Sequence, residues 1–171
     1  SSTEQMGLYL INVDSEGERS FTYWRSTSAA KQVMSFVNDD IDNPALAEVD
    51  SFFFSGISIA IISESDRQAL WTYIRKLKAS GTKIVFDPNY RPVLWNSMDE
   101  TREAYASAFE LADIALPGVD DHIELYGAKN AEDVADFLEG FNIAEIVVKN
   151  GEQGMLLSLD GVRQHVSVQP I

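Results

Sequence analysis

Cysteine is absent from the 171 residues, which excludes disulfides, thiol catalysis and cysteine-based zinc sites. Histidine is scarce: His122 and His165 stand alone, with no second ligand at metal spacing, so both read as packing or surface residues. Basic residues are few as well. Thirteen Lys and Arg face 27 Asp and Glu, a net charge of −14 that repels phosphate backbones and anionic bilayers. Nucleic acid and membrane are therefore not expected as partners, whereas a small anion is still possible if a few basic residues converge on it. The longest apolar run, FFFSGISIAII at 52–62, is too short to span a bilayer and is broken by Ser55, Gly56 and Ser58. No signal peptide is visible, and a cytoplasmic location is expected. What is present is apolar residue: 45% of the chain, enough for a core in one domain or in one domain with a small appendage. The chain opens on SSTEQMGLYL and closes on HVSVQPI, each beside a strand, and is expected to be a piece of a longer protein.

The hydrophobic period then sets the elements. GLYLINV (7–13) and RSFTYWR (19–25) flank the turn-rich DSEGE and predict a hairpin. A helix is possible over 29–48. SFFFSG (51–56) reads as a buried strand, and 63–81 as a helix with Leu70, Tyr73, Ile74 and Leu77 on its apolar face. Ser63 with Asp66, and Ser97 with Glu100 ahead of the helix 97–113, resemble capping boxes. KIVF (83–86), IAL (114–116) and EIVVK (145–149) are strands, with short helices at 120–127 and 131–140. MLLSL and VRQHVSV form a hairpin across Asp160-Gly161. Strands alternating with helices from 51 to 149 predict an α/β fold with a mostly parallel sheet, and ligands bind such sheets outside the C-terminal strand ends.

Those ends are SG (55–56), DPNYR (87–91), PGVDD (117–121) and KNGEQG (149–154). Arg91 just past a strand end can clamp a carboxylate or phosphate with two parallel hydrogen bonds, and Asn89 can reach a phosphate or hydroxyl. Pro88 and Pro92 fix the backbone that presents them. A surface loop with Arg91 paired to one of many acidic neighbours is an equal alternative. Lys149 followed by Gly151 and Gly154 suits close approach of a nucleotide, though a glycine turn before a hairpin explains the same residues. The order of a P-loop is absent.

The combination of GLYLINVDSEGERSFTYWR, SFFFSGIS, FDPNYRPVLW and VVKNGEQG resembles the ribokinase-like (PfkB-type) carbohydrate kinases over essentially the whole chain. NYRP and LW together with YWR are the more specific part and point to the branch acting on 2-keto-3-deoxygluconate; the lysine–glycine stretch marks only the broad family. The resemblance implies a ribokinase-like fold with helices on both faces of the central sheet, a lid hairpin at 7–25 and a partial core at 26–171. It implies ATP and Mg2+ as cofactors, a small sugar acid as substrate, transfer to the terminal hydroxyl, and a homo-oligomer formed through the lid. Tyr9, Tyr23, Trp24 and Arg25 match positions that contact the sugar acid, Arg25 facing its carboxylate. Tyr23 and Trp24 are adjacent on a strand, so they face opposite sides. Arg91 matches an arginine between sugar acid and ATP, with Asn89 and Tyr90 near the nucleotide. Lys149, Asn150, Gly151, Glu152, Gln153 and Gly154 match the nucleotide-binding turn. Asp121 matches the acidic end of the motif that tunes the magnesium–phosphate site, with Gly118 where the family carries asparagine. The G-A-G-D segment with the catalytic aspartate has no counterpart in the 171 residues, so no catalytic residue is assigned and the chain alone is expected to be inactive. A fructokinase-type sugar kinase and a non-catalytic α/β binding module are the alternatives.

Overall fold

The computed structural model describes residues 4–39 and 49–168. β1 (Leu8–Val13) and β2 (Arg19–Trp24) pair antiparallel as a two-stranded sheet of their own. Asp14 closes the turn between them, its Oδ1 accepting from the backbone N–H groups of Glu16 and Glu18 at 2.9 Å. The helix expected over 29–48 is shorter where it is described: a 3-10 turn, Ala29–Gln32, runs into α1 (Val33–Asp39), and 40–48 lie outside the described residues.

The main sheet has six strands in the order β3 (Ser51–Ser55), β4 (Lys83–Asp87), β5 (Ile114–Ala115), β6 (Glu145–Lys149), β7 (Met155–Leu159) and β8 (Val162–Val166). β3 to β6 run parallel, and β7 and β8 return antiparallel. The β7–β8 turn is made by Asp160 and Gly161, both at positive φ (49° and 78°), as a tight hairpin of this kind requires. Between the parallel strands come α2 (Gly56–Ala60), α3 (Glu64–Ala79), α4 (Met98–Leu111), α5 (Val119–Tyr126) and α6 (Ala131–Glu139). Because the parallel strands follow one another in order, right-handed crossovers carry these helices to the same face. Burial shows it: Phe54, Ile84, Phe86, Ile146, Val148 and Leu156 are buried, while Phe53, Val85, Ile114, Val147 and Leu157 on the other face keep part of their surface open. Among the described residues helices therefore cover one face of the sheet, where the sequence suggested both.

The caps differ in detail from expectation. Ser63 and Ser97 each accept from the N3 amide, of Asp66 and Glu100 respectively. Neither acidic partner returns a bond to the cap's own N–H. Asp66 instead takes the Ser63 hydroxyl, and Glu100 takes the Asn96 amide and Arg67, which reaches over from α3 at 2.7 Å. A reciprocal box does occur at α2, between Ser55 and Ser58, where the sequence reading had only the end of a strand. Gly56 opens α2 for a steric reason: a Cβ there would lie 1.8 Å from the Pro88 carbonyl oxygen and 2.1 Å from the Tyr105 hydroxyl.

Candidate functional site

Two clusters form beside the C-terminal strand ends. The first is a groove of about 660 Å3 between the hairpin and the loop after β4. In β2, Arg19, Phe21 and Tyr23 alternate onto one face, and the register sets Tyr9 opposite Tyr23 and Ile11 opposite Phe21. These side chains line the groove with Arg25, Ile57 and Arg91. The rings of Phe21 and Tyr23 stack at 6.1 Å, and the Arg25 guanidinium lies over the Tyr23 ring, 4.0 Å from its centre. Arg91 donates to the neighbouring Tyr90 carbonyl at 2.7 Å. Among the described residues neither Arg25 nor Arg91 has a carboxylate at ion-pair distance. Among the described residues the lining holds neither carboxylate nor histidine. In a chain of net charge −14, three guanidiniums, Arg19, Arg25 and Arg91, thus share one aromatic groove with no carboxylate at ion-pair distance among the described residues, an arrangement with which a small anion can pair.

Trp24 does not join them. Alternation keeps it off that face, and it lines a second depression with Gln5, Met6, Leu8 and Tyr23.

The second cluster sits over β5. That strand is only two residues long, so the last residues of β4 and β6 face each other beyond it. The Lys149 Nζ reaches across to Asp87, 3.0 Å from each carboxylate oxygen. Gly118 bridges to Lys149 and precedes α5, whose first turn carries Asp120 and Asp121. The Asp121 Oδ2 accepts the Tyr90 N–H at 3.0 Å. Burial pushes the Asp121 carboxyl above its ordinary range, and the Tyr90 amide with the Arg91 and Lys149 charges pulls it back. Asn89 is half-buried between the clusters at φ 35°. Tyr90, by contrast, is 4% exposed; its ring belongs to the core and only its backbone faces the cluster.

The glycines of KNGEQG divide in two. Asn150, Gly151, Glu152, Gln153 and Gly154 form a closed turn around a 3-10 segment, with the Asn150 N–H donating to the Gly154 carbonyl at 2.9 Å. Gly151 (φ 53°) faces open space, whereas a Cβ on Gly154 (φ 92°) would lie 2.1 Å from the Val166 carbonyl oxygen. Gly154 is thus explained by the approach of β8. Among the described residues no group of three acidic or histidine side chains could cage a metal ion. Asp121 offers one carboxylate, which fits Mg2+ held mainly by phosphate oxygens and water, and does not fit an all-protein cage.

Sequence reasoning passed over Asp87, Arg19 and Tyr105. Arg19 carried a signal, since it shares the two-residue period of Phe21, Tyr23 and Arg25. Asp87 opens the DPN stretch, but nothing in the sequence ties it to Lys149. Tyr105 lies on α4, and its hydroxyl donates to the Pro88 carbonyl at 2.6 Å.

The sequence profile of the pfkB family carbohydrate kinases matches residues 1–171. The 2-dehydro-3-deoxygluconokinase of Dickeya dadantii (strain 3937) is 39% identical over 155 residues, 91% of this chain and 50% of that protein. A crystal structure of a PfkB protein from Polaromonas sp. JS666 superposes with a TM-score of 0.85 at 26% identity, over 99% of this chain and 56% of that one. The aminoimidazole riboside kinase from Salmonella enterica, solved with aminoimidazole riboside and an ATP analogue, gives a TM-score of 0.63 at 26% identity, over 72% of this chain and 41% of that one. The chain spans about half the length of the curated relatives it matches. It belongs to the pfkB family of carbohydrate kinases.

Proposed function

We propose that this chain supplies the sugar-acid groove and part of the nucleotide site of an ATP-dependent kinase that phosphorylates 2-keto-3-deoxygluconate at its terminal hydroxyl, giving the 6-phosphate and ADP. The observation that carries this is the convergence of Arg25 and Arg91, both without carboxylate partners among the described residues, on a groove walled by Tyr9 and Tyr23. The names of relatives such as the Dickeya protein support the choice of sugar acid. The ATP analogue in the Salmonella kinase supports the nucleotide.

Arg25 holds the substrate carboxylate in a charge-assisted pair, and the Tyr9 and Tyr23 rings flank the carbon chain. Arg91 enters between sugar acid and nucleotide and balances negative charge on both. Asn89 and the Lys149–Gly154 turn border the nucleotide, with Lys149 exchanging Asp87 for a phosphate oxygen. Asp121 would help hold Mg2+ alongside phosphate oxygens and water, and the ion would supply neutralisation of phosphate charge. In the transfer, the terminal hydroxyl oxygen attacks the γ-phosphorus, ADP leaves, and the hydroxyl proton passes to a base. The described lining of the groove offers no carboxylate or histidine for that step. The base is the catalytic aspartate that the family resemblance places outside residues 1–171. The hairpin, apolar and exposed on both faces, acts as the lid and as the contact in a homo-oligomer.

Arg25→Ala in the full-length protein decides the substrate class. Losing one charge-assisted hydrogen bond of about 1.5–3 kcal/mol raises KM for the sugar acid roughly 10–100-fold, with KM for ATP nearly unchanged. Unchanged KM for both substrates removes Arg25 from the carboxylate. Preference for a neutral sugar such as fructose would favour a fructokinase-type activity.

A further inference from the structure

Asn89 holds a backbone conformation, φ 35°, that residues other than glycine rarely adopt. Such a residue persists where its neighbours over-determine it. Here each flanking peptide group is tied separately. On one side the Tyr105 hydroxyl donates to the Pro88 carbonyl oxygen at 2.6 Å. On the other the Tyr90 N–H donates to Asp121 Oδ2 at 3.0 Å. Arg91 follows at once, and its guanidinium reaches the groove.

The Tyr105 tie is rigid. The residue is fully buried, and its ring packs edge-on against Phe86, Phe109 and Trp95. Burial raises the hydroxyl's pKa, so it stays a donor at working pH. The space it uses exists because position 56 is glycine; a Cβ there would fall 2.1 Å from the hydroxyl. Tyr105 does not itself line the groove.

We propose that Tyr105 is a positioning residue. Through the Pro88 carbonyl it fixes the turn at Asn89, and with it the direction from which Arg91 enters the groove. The inference rests on the reading of Arg91 as substrate-facing. A tyrosine serving the core alone would affect stability and nothing else.

The test is Tyr105→Phe in the full-length protein, which keeps the ring and removes only the donor. Expected are a roughly tenfold loss of kcat/KM for the sugar acid with MgATP, measured well below the variant's melting point, and less than a twofold further loss when the change is made in an Arg91→Lys background. Amide hydrogen exchange gives a second reading that needs no activity: residues 88–91 exchange faster in Tyr105→Phe, while the β4 peptide 83–86 is unchanged. Loss by the same factor in both backgrounds, or kcat/KM within twofold of wild type, overturns the proposal. If Arg91→Lys is itself as active as wild type, the reading of Arg91 fails and the proposal with it; faster exchange at 88–91 would then leave Tyr105 as a tie for the loop alone.

Discussion

His122 gives the most direct test of the core beneath the site. Its side chain is 1% exposed, among Phe109, Tyr126 and Phe137. Nδ1 lies 3.2 Å from the Gly118 carbonyl oxygen, so the neutral ring donates there and its buried Nε2 has no partner among the described residues. Burial pushes its pKa down to about 4 from an ordinary value near 6.5. In the unfolded chain the imidazole takes its proton near pH 6.5; in the fold it resists until about pH 4. Below pH 6.5 the unfolded state therefore binds more protons, and stability falls as pH falls. Against neutral pH the loss comes to about 2 kcal/mol at pH 5 and about 3 kcal/mol at pH 4. The 2 kcal/mol corresponds to a drop of roughly 4–8 °C in Tm for a chain of this size. Carboxylates titrate in the same range, so the assay is a difference. Urea unfolding of wild type and of His122→Leu is followed at pH 7 and at pH 5. Leu fills similar space and removes the orphaned nitrogen, while the Gly118 carbonyl keeps its bond from the residue 122 N–H. The wild type should lose about 2 kcal/mol more than the variant between the two pH values. Equal losses would show that the imidazole charges inside the fold, and would refute the buried, neutral assignment.

Three further outcomes follow from the geometry around the strand ends. Gly56→Ala must push apart the Pro88 carbonyl and the Tyr105 hydroxyl, so it should cost about 2–3 kcal/mol in urea unfolding; a cost below 0.5 kcal/mol would mean the passage is looser than its 1.8 Å clash implies. Gly154→Ala should cost about 3 kcal/mol against about 1 for Gly151→Ala, because only the former meets a backbone oxygen; equal costs would remove the packing explanation for Gly154. Arg91→Lys in the full-length protein should lower kcat about tenfold or more, since a point charge cannot reproduce a two-pronged contact, and wild-type turnover would return Arg91 to a surface role.

The sequence made the order of elements legible because the apolar period changes from two to 3.6 and back between residues 51 and 149. It was weaker wherever a distant residue decided the local outcome. Glu100 stands at the right spacing for a capping box with Ser97, yet its carboxylate turns to Asn96 and to Arg67 on the neighbouring helix. SFFFSG reads as a strand to its end, but Ser55 caps α2 with Ser58, and the glycine at 56 is required by Pro88 and Tyr105, neither of which lies nearby in sequence. Period-two alternation brought Tyr23 onto the groove with Phe21 and left Trp24 off it.

Lys149 shows what the sequence could not carry. As a strand-end lysine before a glycine turn it suited close approach of a nucleotide, and 27 acidic residues gave no way to name a partner. The partner is Asp87, two strands away, and it is reachable because β5 stops after two residues and leaves the ends of β4 and β6 facing each other. That pairing changes the chemistry expected of the site. The Lys149 side chain is 46% exposed, so the pair is worth no more than about 1 kcal/mol. On the proposed function, a phosphate oxygen would offer Lys149 a charge-assisted bond of about 1.5–3 kcal/mol, enough to draw it from Asp87. Asp87 holds the Lys149 ammonium at the strand ends, beside the turn that the proposed function assigns to the nucleotide.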